Sequence, residues 1–582
     1  MKTKLELQQL DPAINLDQLA SETGLIPEVV RYLCLRGFDT KEKIERMLDF
    51  NLQDLRNVRD MKDAEAFLSA LQKAYEENLS VTIYGDYDGD GIMGTFILWS
   101  SISRVSKTPI HWFINNRFRE GYGMNVKGVR RLLDLYPDTK LIITVDNGIK
   151  ALEGIQYALN KGIQVIVSDH HGQSEGESLP DCPVVCEKRL DEKPDGEWFC
   201  GAELARRLME AWYADNGWNS DADQMFLSNL IAYSGLATIT DSIQMNPANH
   251  YICRKGLDQI QLEKDLVWKV LRQETGAHDV DEDTVGFQYG PMINAPGRME
   301  GDVSIVMEAL LSSLKNDEEG CRKAVKEMMR LNESRKETAF EDDQIAFEQI
   351  REKGYDHDSI IVLTDDRFQE GINGLTAGHI VETLGIPAIV LSPLDQDPDI
   401  YKGSARSVEG FNIFESLNEC RDLLLGFGGH PMAAGLSVAR DRIPDLRQRL
   451  QKIASENVPE KEQIRRIDFE MTSDQISPSL IAALNRCRPF GYGFERPTIG
   501  IESVIESYRV LKDRHLKFDI ESGTEVLWWN SLRTFKKMTD EVQIENAKIS
   551  VIGYPSFSIY KGRIKTQIYA DEVFVTFSVT EL

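Results

Sequence analysis

Three short stretches of the chain run from an apolar segment straight into side chains that bind metal ions. Val81-Thr82-Ile83-Tyr84-Gly85 leads into Asp86-Tyr87-Asp88-Gly89-Asp90-Gly91, Leu141-Ile142-Ile143-Thr144-Val145 into Asp146-Asn147-Gly148, and Val165-Ile166-Val167-Ser168 into Asp169-His170-His171. Apolar runs of this length, bounded by Gly and separated by helical stretches, read as buried parallel strands, and ligands in such sheets gather at the carboxyl ends of the strands. Five Asp and two His are therefore expected in one crevice. Carboxylates held a few ångströms apart repel one another and must protonate unless a cation sits among them. A pair of divalent ions removes that conflict. Carboxylates mixed with imidazole suit Mn²⁺ or Mg²⁺, with Mn²⁺ the better match once a His ligates. Each stretch alone also reads as a strand ending in an Asp-Gly or Asn-Gly turn. Their combination favours the metal site, as does the alternation of Asp86, Asp88 and Asp90, which share one face if the chain stays extended.

The elements that must position this cluster follow from the rest of the pattern. A chain of 582 residues, 42% hydrophobic, is too long for one core, and three or four domains are expected. Residues 1–60 read as short helices with charged faces that brace the first domain. Residues 61–300 hold the metal-type ligands on a doubly wound parallel sheet, and the Pro-free, charge-rich stretch within 301–353 reads as one long connecting helix. In residues 354–455 a second α/β unit is expected, with strands at Ser359–Leu363 and Ala388–Leu391, a helix at Asn373–Leu384, and Gly-rich loops at Gly403–Ser407 and Gly428–Gly435. Such loops let backbone approach a phosphate closely while an Arg clamps it. Residues 456–582 turn to short strands, among them Leu516–Ile520, Val526–Trp529, Ile549–Tyr554 and Ile564–Phe577, and suggest a small barrel. Phe518, Trp528, Trp529, Phe557 and Tyr560 are either barrel core or platforms for stacked bases.

Asp86-Tyr87-Asp88-Gly89-Asp90-Gly91, Val145-Asp146-Asn147-Gly148 and Ser168-Asp169-His170-His171-Gly172 resemble the first three motifs of the DHH phosphoesterase superfamily, and Asp241, after Gly235-Leu236-Ala237-Thr238-Ile239-Thr240, stands where that family draws its last metal ligand. The surrounding text is similar to the RecJ branch of single-strand-specific exonucleases over nearly the whole chain. Asn116-Arg117-Phe118-Arg119-Glu120-Gly121-Tyr122-Gly123, Cys200-Gly201-Ala202, Ile293-Asn294-Ala295-Pro296-Gly297-Arg298, Gly403-Ser404-Ala405-Arg406-Ser407 and Phe427-Gly428-Gly429-His430-Pro431 all resemble motifs of that branch. Gly89, Pro296, Ala405 and Pro431 depart from it, where Ala, Ala, Gly and Ala are expected. No departure removes a ligand or a charge, although loops at Pro296 and Pro431 would be stiffer.

The resemblance implies an α/β protein with two α/β domains of the DHH and DHHA1 types joined by a long helix, plus a C-terminal OB-like β-barrel. It implies two Mn²⁺ or Mg²⁺ ions on Asp88, Asp90, Asp146, His170 and Asp241, with Asp146 as the bridge. Asp86, Asp169, His171 and Arg298 are the implied catalytic residues, and Arg117, Asn294, Arg298, Ser404, Arg406 and His430 the implied substrate contacts. The implied reaction is hydrolysis of single-stranded DNA from its 5′ end to mononucleotides. Partners implied by the same analogy are single-strand-binding protein and a helicase, with a monomer as the default. The ligands alone equally suit a pyrophosphatase, a cyclic-dinucleotide phosphodiesterase or a nuclease of short oligonucleotides or RNA, whereas a non-catalytic replication scaffold that has lost its metals is disfavoured because every ligand is present. The additional domains favour a polymer threaded through a narrow channel.

A net charge of −27 is unusual for a nucleic-acid enzyme. Acidity is uneven: Ile501–Leu582 carry 11 Lys or Arg against 12 Asp or Glu, a net of −1, so 26 of the negative charges lie upstream. A metal-lined crevice and a few Arg-rich loops can bind a strand while the outer surface stays acidic, and the acidic balance argues against a general DNA-coating role. Eight cysteines without a Cys-x-x-Cys pair fit reduced thiols, and Cys182, Cys186 and Cys200 are spaced too irregularly to favour zinc. No apolar core follows Met1-Lys2-Thr3-Lys4 and no long apolar run occurs, so the expected compartment is cytoplasmic, without membrane insertion.

Overall fold

The computed structural model describes residues 4–576, apart from 194–195, 395–396, 460–463, 533–534, 537–546 and 561–562. A strand, β1 (Lys4–Leu7), precedes three helices, α1 (Leu16–Thr23), α2 (Pro27–Leu35) and α3 (Lys41–Leu48). Contrary to expectation, these helices do more than brace the first domain. Val30, Leu33 and Met47 lie in one core with Phe494, Ile505 and Phe518 of the C-terminal region, because their apolar faces match the barrel wall. The Arg36 guanidinium clamps Asp468 through two hydrogen bonds of 2.7 and 2.8 Å, both side chains being buried. Arg254 Nη1 donates to Leu48 O at 2.7 Å, tying the same helices to the first α/β domain.

That domain holds a parallel sheet in the order β3-β2-β4-β5-β6, made of β2 (Val81–Gly85), β3 (Ile110–Ile114), β4 (Leu141–Val145), β5 (Gln164–Ser168) and β6 (Val184–Val185). Every residue of β2 and β4 is buried, as strands covered on both faces require. Helices α4 (Gly89–Val105), α5 (Gly201–Asp215) and α6 (Ile231–Thr240) cover one side. A side chain at Gly94 would meet Val145 Cγ2 at 2.5 Å, so α4 sits on the sheet as closely as glycine permits.

A π-turn, Val285–Tyr289, leads into α7 (Gly290–Met299). Pro296 therefore lies inside a helix and stiffens no loop. The single connecting helix is in fact two, α8 (Ser304–Leu314) and α9 (Glu318–Lys353). Asn316 takes a left-handed φ of 55° between them, and the Asp317 side chain caps α9 by accepting from Gly320 N. At 36 residues α9 extends about 54 Å and reaches the second α/β unit.

That unit is a five-stranded sheet ordered β10-β11-β9-β8-β7, with β7 (Ile361–Thr364), β8 (Ala388–Leu394), β9 (Asp397–Arg406), β10 (Leu424–His430) and β11 (Ala433–Ala439), and with α10 (Asn373–Leu384) beside it. The two Gly-rich loops are thus strands. Gly403 pairs with Leu436 and Gly428 with Gly435, since glycine leaves the ladder intact while clearing the face above it. Pro431 lies at the hairpin turn.

Beyond β12 (Ile464–Ile467), which pairs with β1, and β13 (Phe469–Met471), five strands close a barrel: β14 (Ile499–Leu511), β15 (His515–Ile520), β16 (Glu525–Trp528), β17 (Lys548–Tyr560) and β18 (Arg563–Thr576). Strand β17 pairs with both β18 and β14 and completes the ring. Phe518 and Trp528 are core, Phe557 packs against them, and Trp529 is 52% exposed. The Tyr560 side chain and Phe577 lie outside the described residues. Among the described residues no helix is long and apolar enough to cross a membrane.

Asp468→Ala strands the buried Arg36 charge and is expected to cost about 3–5 kcal/mol. The measurement is the urea midpoint of the barrel's unfolding transition, and an unchanged midpoint would show that the clamp does not hold the two ends of the chain together.

Candidate active site

Strand β2 ends at Gly85 and the chain turns at once into α4. Asp88 is the N-cap, its Oδ1 accepting from the N–H groups of Asp90 and Gly91 at 3.1 Å each. Asp86, Asp88 and Asp90 therefore do not alternate along an extended segment, as the sequence suggested, but converge around a tight strand-to-helix turn. A Cβ at Gly91 would lie 2.6 Å from Asp86 O, so only glycine closes that turn. At Gly89 a Cβ would lie 2.9 Å from Thr240 Oγ1, which places a hydroxyl where the family pattern has a methyl. Asp90 reaches across to the start of α5, where Gly201 N and Ala202 N donate to its two oxygens at 2.6 and 2.7 Å.

Asp146 follows β4 with a φ of 59°, a left-handed conformation rare outside glycine and concentrated at functional sites. Asn147 Nδ2 holds the bend by donating to Tyr84 O and Val145 O at 3.2 and 2.9 Å. A side chain at Gly201 would strike Asp146 Cβ at 2.8 Å, which explains the glycine of Cys200-Gly201-Ala202. Asp241 caps the end of α6. His170 Nε2 lies 3.0 Å from Asp146, 3.5 Å from Asp90 and 3.7 Å from Asp241.

Ligand atoms fall into three overlapping groups, each within 4.8 Å: Asp90, His170 and Asp241; Asp86, Asp88 and Asp146; and Asp146, His170 and His171. Asp146 belongs to two of them. Burial, then repulsion from Asp90, Asp88, Asp86 and Asp241, raises the Asp146 carboxyl far above its ordinary range. Burial and Asp88 do the same to Asp86, burial and Asp88 lift Asp90 to about 6, and burial with Asp90 and Asp88 lifts Asp241 to about 8. Asp86 Oδ1 is buried without a hydrogen-bond partner. Hard oxygen donors with imidazole, mutually repelling and in Asp86 Oδ1 unpartnered, fit divalent cations. No cysteine takes part in these groups, so among the described residues the zinc alternative has no site.

Asp169 stands behind the cluster. Burial opposes its charge, yet the 2.7 Å bond to His171 Nδ1 and the charge of that imidazole hold it at about 2. Against its own burial, His171 is raised to about 9 by the same bond, and its Nε2 lies 3.2 Å from the Tyr122 hydroxyl. Burial and His171 depress His170 to about 3, the neutral state a metal ligand needs.

Opposite the carboxylates the crevice is basic. Arg298, on α7, is pushed down to about 10 by burial and by Arg117, Arg335 and Arg406, while Asp88 opposes the shift. Arg406 Nη1 donates to Ser404 Oγ at 2.9 Å, and both side chains close over the start of α10, where a Cβ at Gly374 would lie 2.9 Å from Arg406 Nη2. Arg117 also lies over the Tyr87 ring, 5.2 Å from its centroid. The Asn294 side chain faces Gly89 with its Oδ1 buried and unpartnered. His430, at the end of β10, is lowered from the ordinary imidazole range by burial and then by the charges of Lys150, His171 and Lys188.

All the site residues named from sequence thus gather around one crevice. Tyr122, whose hydroxyl lies 3.2 Å from His171 Nε2, carries no such signal in the sequence. On the charge-rich helix the sequence offers Arg330 and Arg335 alike as strand contacts, and the fold separates them: Arg330 is paired with Glu327, whereas Arg335 Nε donates to Asn332 at 2.9 Å and its charge acts on Arg298.

A parallel sheet presenting Asp and His at its carboxyl edge, faced across a crevice by arginines and by a second α/β unit, is the architecture of a DHH phosphoesterase. Family models match accordingly: the DHH family N-terminal domain over residues 80–234, the DHHA1 domain over 357–456 and the RecJ OB domain over 467–572. The single-stranded-DNA-specific exonuclease RecJ of Bacillus subtilis is 30% identical over 99% of this chain and 71% of its own. A crystal structure of RecJ with Mn²⁺ from Thermus thermophilus shares the fold, with a TM-score of 0.81 over 99% of this chain and 80% of the other at 24% identity. Exonuclease RecJ bound to manganese aligns over 68% of this chain and 95% of the other, with a TM-score of 0.57 at 27% identity. The chain belongs to the RecJ family of single-stranded-DNA-specific exonucleases.

The raised carboxyls make metal-free stability depend on pH. Groups whose folded pKa exceeds the unfolded value hold protons that the unfolded chain has released, so their contribution is full below the ordinary Asp value of 3.8 and is lost as pH rises through about 8, the Asp241 value. The melting temperature in EDTA is expected to fall from pH 6 to pH 8 more steeply than with Mn²⁺ present. Parallel pH profiles with and without metal would contradict this origin of the repulsion.

Proposed function

We propose that the chain is a 5′-to-3′ exonuclease that hydrolyses single-stranded DNA to 5′-mononucleotides with two Mn²⁺ or Mg²⁺ ions. The observation that carries this reading is the division of one crevice into a carboxylate–imidazole half and an arginine half, which meet where Arg298 senses both Asp88 and Arg406. Asp88, Asp90, Asp146, His170 and Asp241 would hold the ions, with Asp86 beside them. Manganese in a RecJ structure 27% identical to this chain supports the choice of ion. When bound, such a pair neutralises phosphoryl charge and lowers the pKa of a water.

The protein's own groups account for polarity and positioning. Ser404, Arg406 and Arg117 receive the terminal 5′-phosphate, and Arg298 lies between them and the carboxylates, where the next phosphate must sit. Asn294 and His430 border the same space. Water attacks that second phosphorus and the bond to the first nucleotide's 3′-oxygen breaks. His171, kept protonated by Asp169, is placed to give that oxygen its proton. The shortened strand carries a new 5′-phosphate for the next cycle. The barrel and the family's single-strand specificity support DNA threading over a small-nucleotide substrate. Eight free thiols suit a reducing, cytoplasmic setting.

The test is Mn²⁺-dependent digestion of single strands labelled at either end, beside a duplex of the same sequence. Release of the 5′ label as mononucleotide, with duplex spared, is expected; initial release of the 3′ label would reverse the assigned polarity. Asp146→Ala is expected to abolish cleavage while leaving the fold intact by circular dichroism. Arg406→Ala is expected to raise KM about tenfold or more for a 5′-phosphorylated strand, the size of a lost charged contact, and to change KM little for a 5′-hydroxyl strand. Equal effects on both strands would remove Arg406 from the terminal-phosphate site.

A further inference from the structure

The two most exposed large apolar side chains among the described residues are both aromatic: Phe287, 77% exposed, and Tyr492, 66% exposed. Neither belongs to a core, and neither has a role in the chemistry above. Both nevertheless stand on closely fixed backbone. Phe287 is in the π-turn Val285–Tyr289, a conformation that recurs at functional sites. That turn is seated on the end of α6, since a Cβ at Gly290 would lie 2.6 Å from Thr240 Cγ2 and one at Gly286 3.9 Å from Ile239 Cγ2. The next residue of that helix end is Asp241.

Tyr492 stands in Gly491-Tyr492-Gly493, which is latched to the segment after Asp241. Its carbonyl accepts from Met245 N at 2.7 Å, a Cβ at Gly491 would meet Met245 Cε at 2.7 Å, and one at Gly493 would meet Gln244 Cγ at 3.0 Å. Asp241 and Met245 are four residues apart, at most about 15 Å. From the Tyr492 loop the chain enters β14 of the barrel within a few residues. The two aromatic residues therefore stand on segments packed against the stretch from Thr240 to Met245, which runs on from the ligand Asp241 to the loop that enters the barrel. Carboxylates near those segments are already paired, Asp281 and Glu282 with Arg488 at 2.7 and 3.0 Å and Asp283 with Arg496, so phosphates would meet little net repulsion.

We propose that Phe287 and Tyr492 are base-stacking platforms that hold the single strand between the crevice and the barrel. The proposal rests on the single-strand exonuclease reading. Every base has a π-face, so such contacts grip a strand without reading its sequence, as an exonuclease that advances through all sequences requires. Two exposed rings outside any core, on segments whose neighbouring carboxylates are paired, match spaced nucleobases better than the continuous apolar patch of a protein interface.

The test is binding of a fluorescent single strand by the full chain in EDTA, where cleavage does not compete, with one base at a time replaced by an abasic site. For the wild type, one or two abasic positions beyond the 5′-terminal nucleotides are expected to weaken Kd about tenfold, the size of one base–aromatic stack. Phe287→Ala and Tyr492→Ala should each weaken binding of the intact strand by a similar factor and become insensitive to the abasic position that each ring serves, while Phe287→Trp retains wild-type affinity. Alanine variants that bind like the wild type, or that keep the full abasic penalty at every position, would overturn the proposal. A wild type that binds strands with no position-dependent penalty, yet releases 5′-mononucleotides, would overturn it while leaving the exonuclease reading intact. A wild type that neither binds nor cleaves single strands would overturn both.

Discussion

The constraint on which the rest of the structure depends is the mutual repulsion of Asp86, Asp88, Asp90, Asp146 and Asp241 in one crevice. Left in water these groups would separate; here they are fixed to elements that cannot move apart. Asp86 and Asp146 end adjacent parallel strands, Asp88 caps the helix that covers those strands, Asp90 is gripped by the first N–H groups of α5, and Asp241 caps α6. The glycines at 91, 94 and 201 let these elements approach to distances that any side chain would prevent. Rigid placement of like charges stores an electrostatic cost that a cation relieves, and this is how a protein prepares a metal site before the metal arrives.

The second consequence is spatial separation of sign. A chain of net charge −27 must still bind a polyanion. Arg117, Arg298, Arg335 and Arg406 gather opposite the carboxylates, close enough that burial and mutual repulsion depress Arg298 to about 10. Arg117 comes from the loop after β3, Arg298 from α7, Arg335 from α9 and Arg406 from β9, so the basic wall exists only when both α/β units are docked. Docking is tight: a side chain at Gly371 would lie 1.9 Å from Arg298 O. Helix α9 spans the two units and fixes their separation, while the N-terminal helices, clamped through Arg36 and Asp468, fix the barrel at the other end.

Much of this was legible in the sequence, because buried parallel strands advertise themselves as unbroken apolar runs and their functional residues stand directly after them. Strands β2, β4 and β5 and helix α10 fall where periodicity places them. What sequence could not show has identifiable causes. Asp86, Asp88 and Asp90 alternate in the text, but the N-cap bond at Asp88 starts a helix two residues earlier than an extended reading allows. Glycine-rich Gly403–Ser407 and Gly428–Gly435 looked like loops because glycine disfavours strands, yet ladder pairing across β9, β10 and β11 overrides that preference. A left-handed Asn316 divides a helix that no Pro or Gly marks. Strand β14 is harder to read, because Glu502, Glu506 and Arg509 interrupt its apolar positions and are exposed. The N-terminal helices gave no sign of their partner, which lies more than 400 residues away at Asp468.

The most direct test of the account is a calorimetric titration of the metal-free protein with Mn²⁺, repeated in buffers of different ionisation enthalpy and with Asp146→Asn. Two bound ions per chain, accompanied by proton release from the raised carboxyls and reduced to one ion or none in the variant, are the predicted result. A single site, no proton release, or two undiminished sites without the Asp146 carboxylate would contradict the claim that this cluster of carboxylates is held together to receive a pair of metal ions.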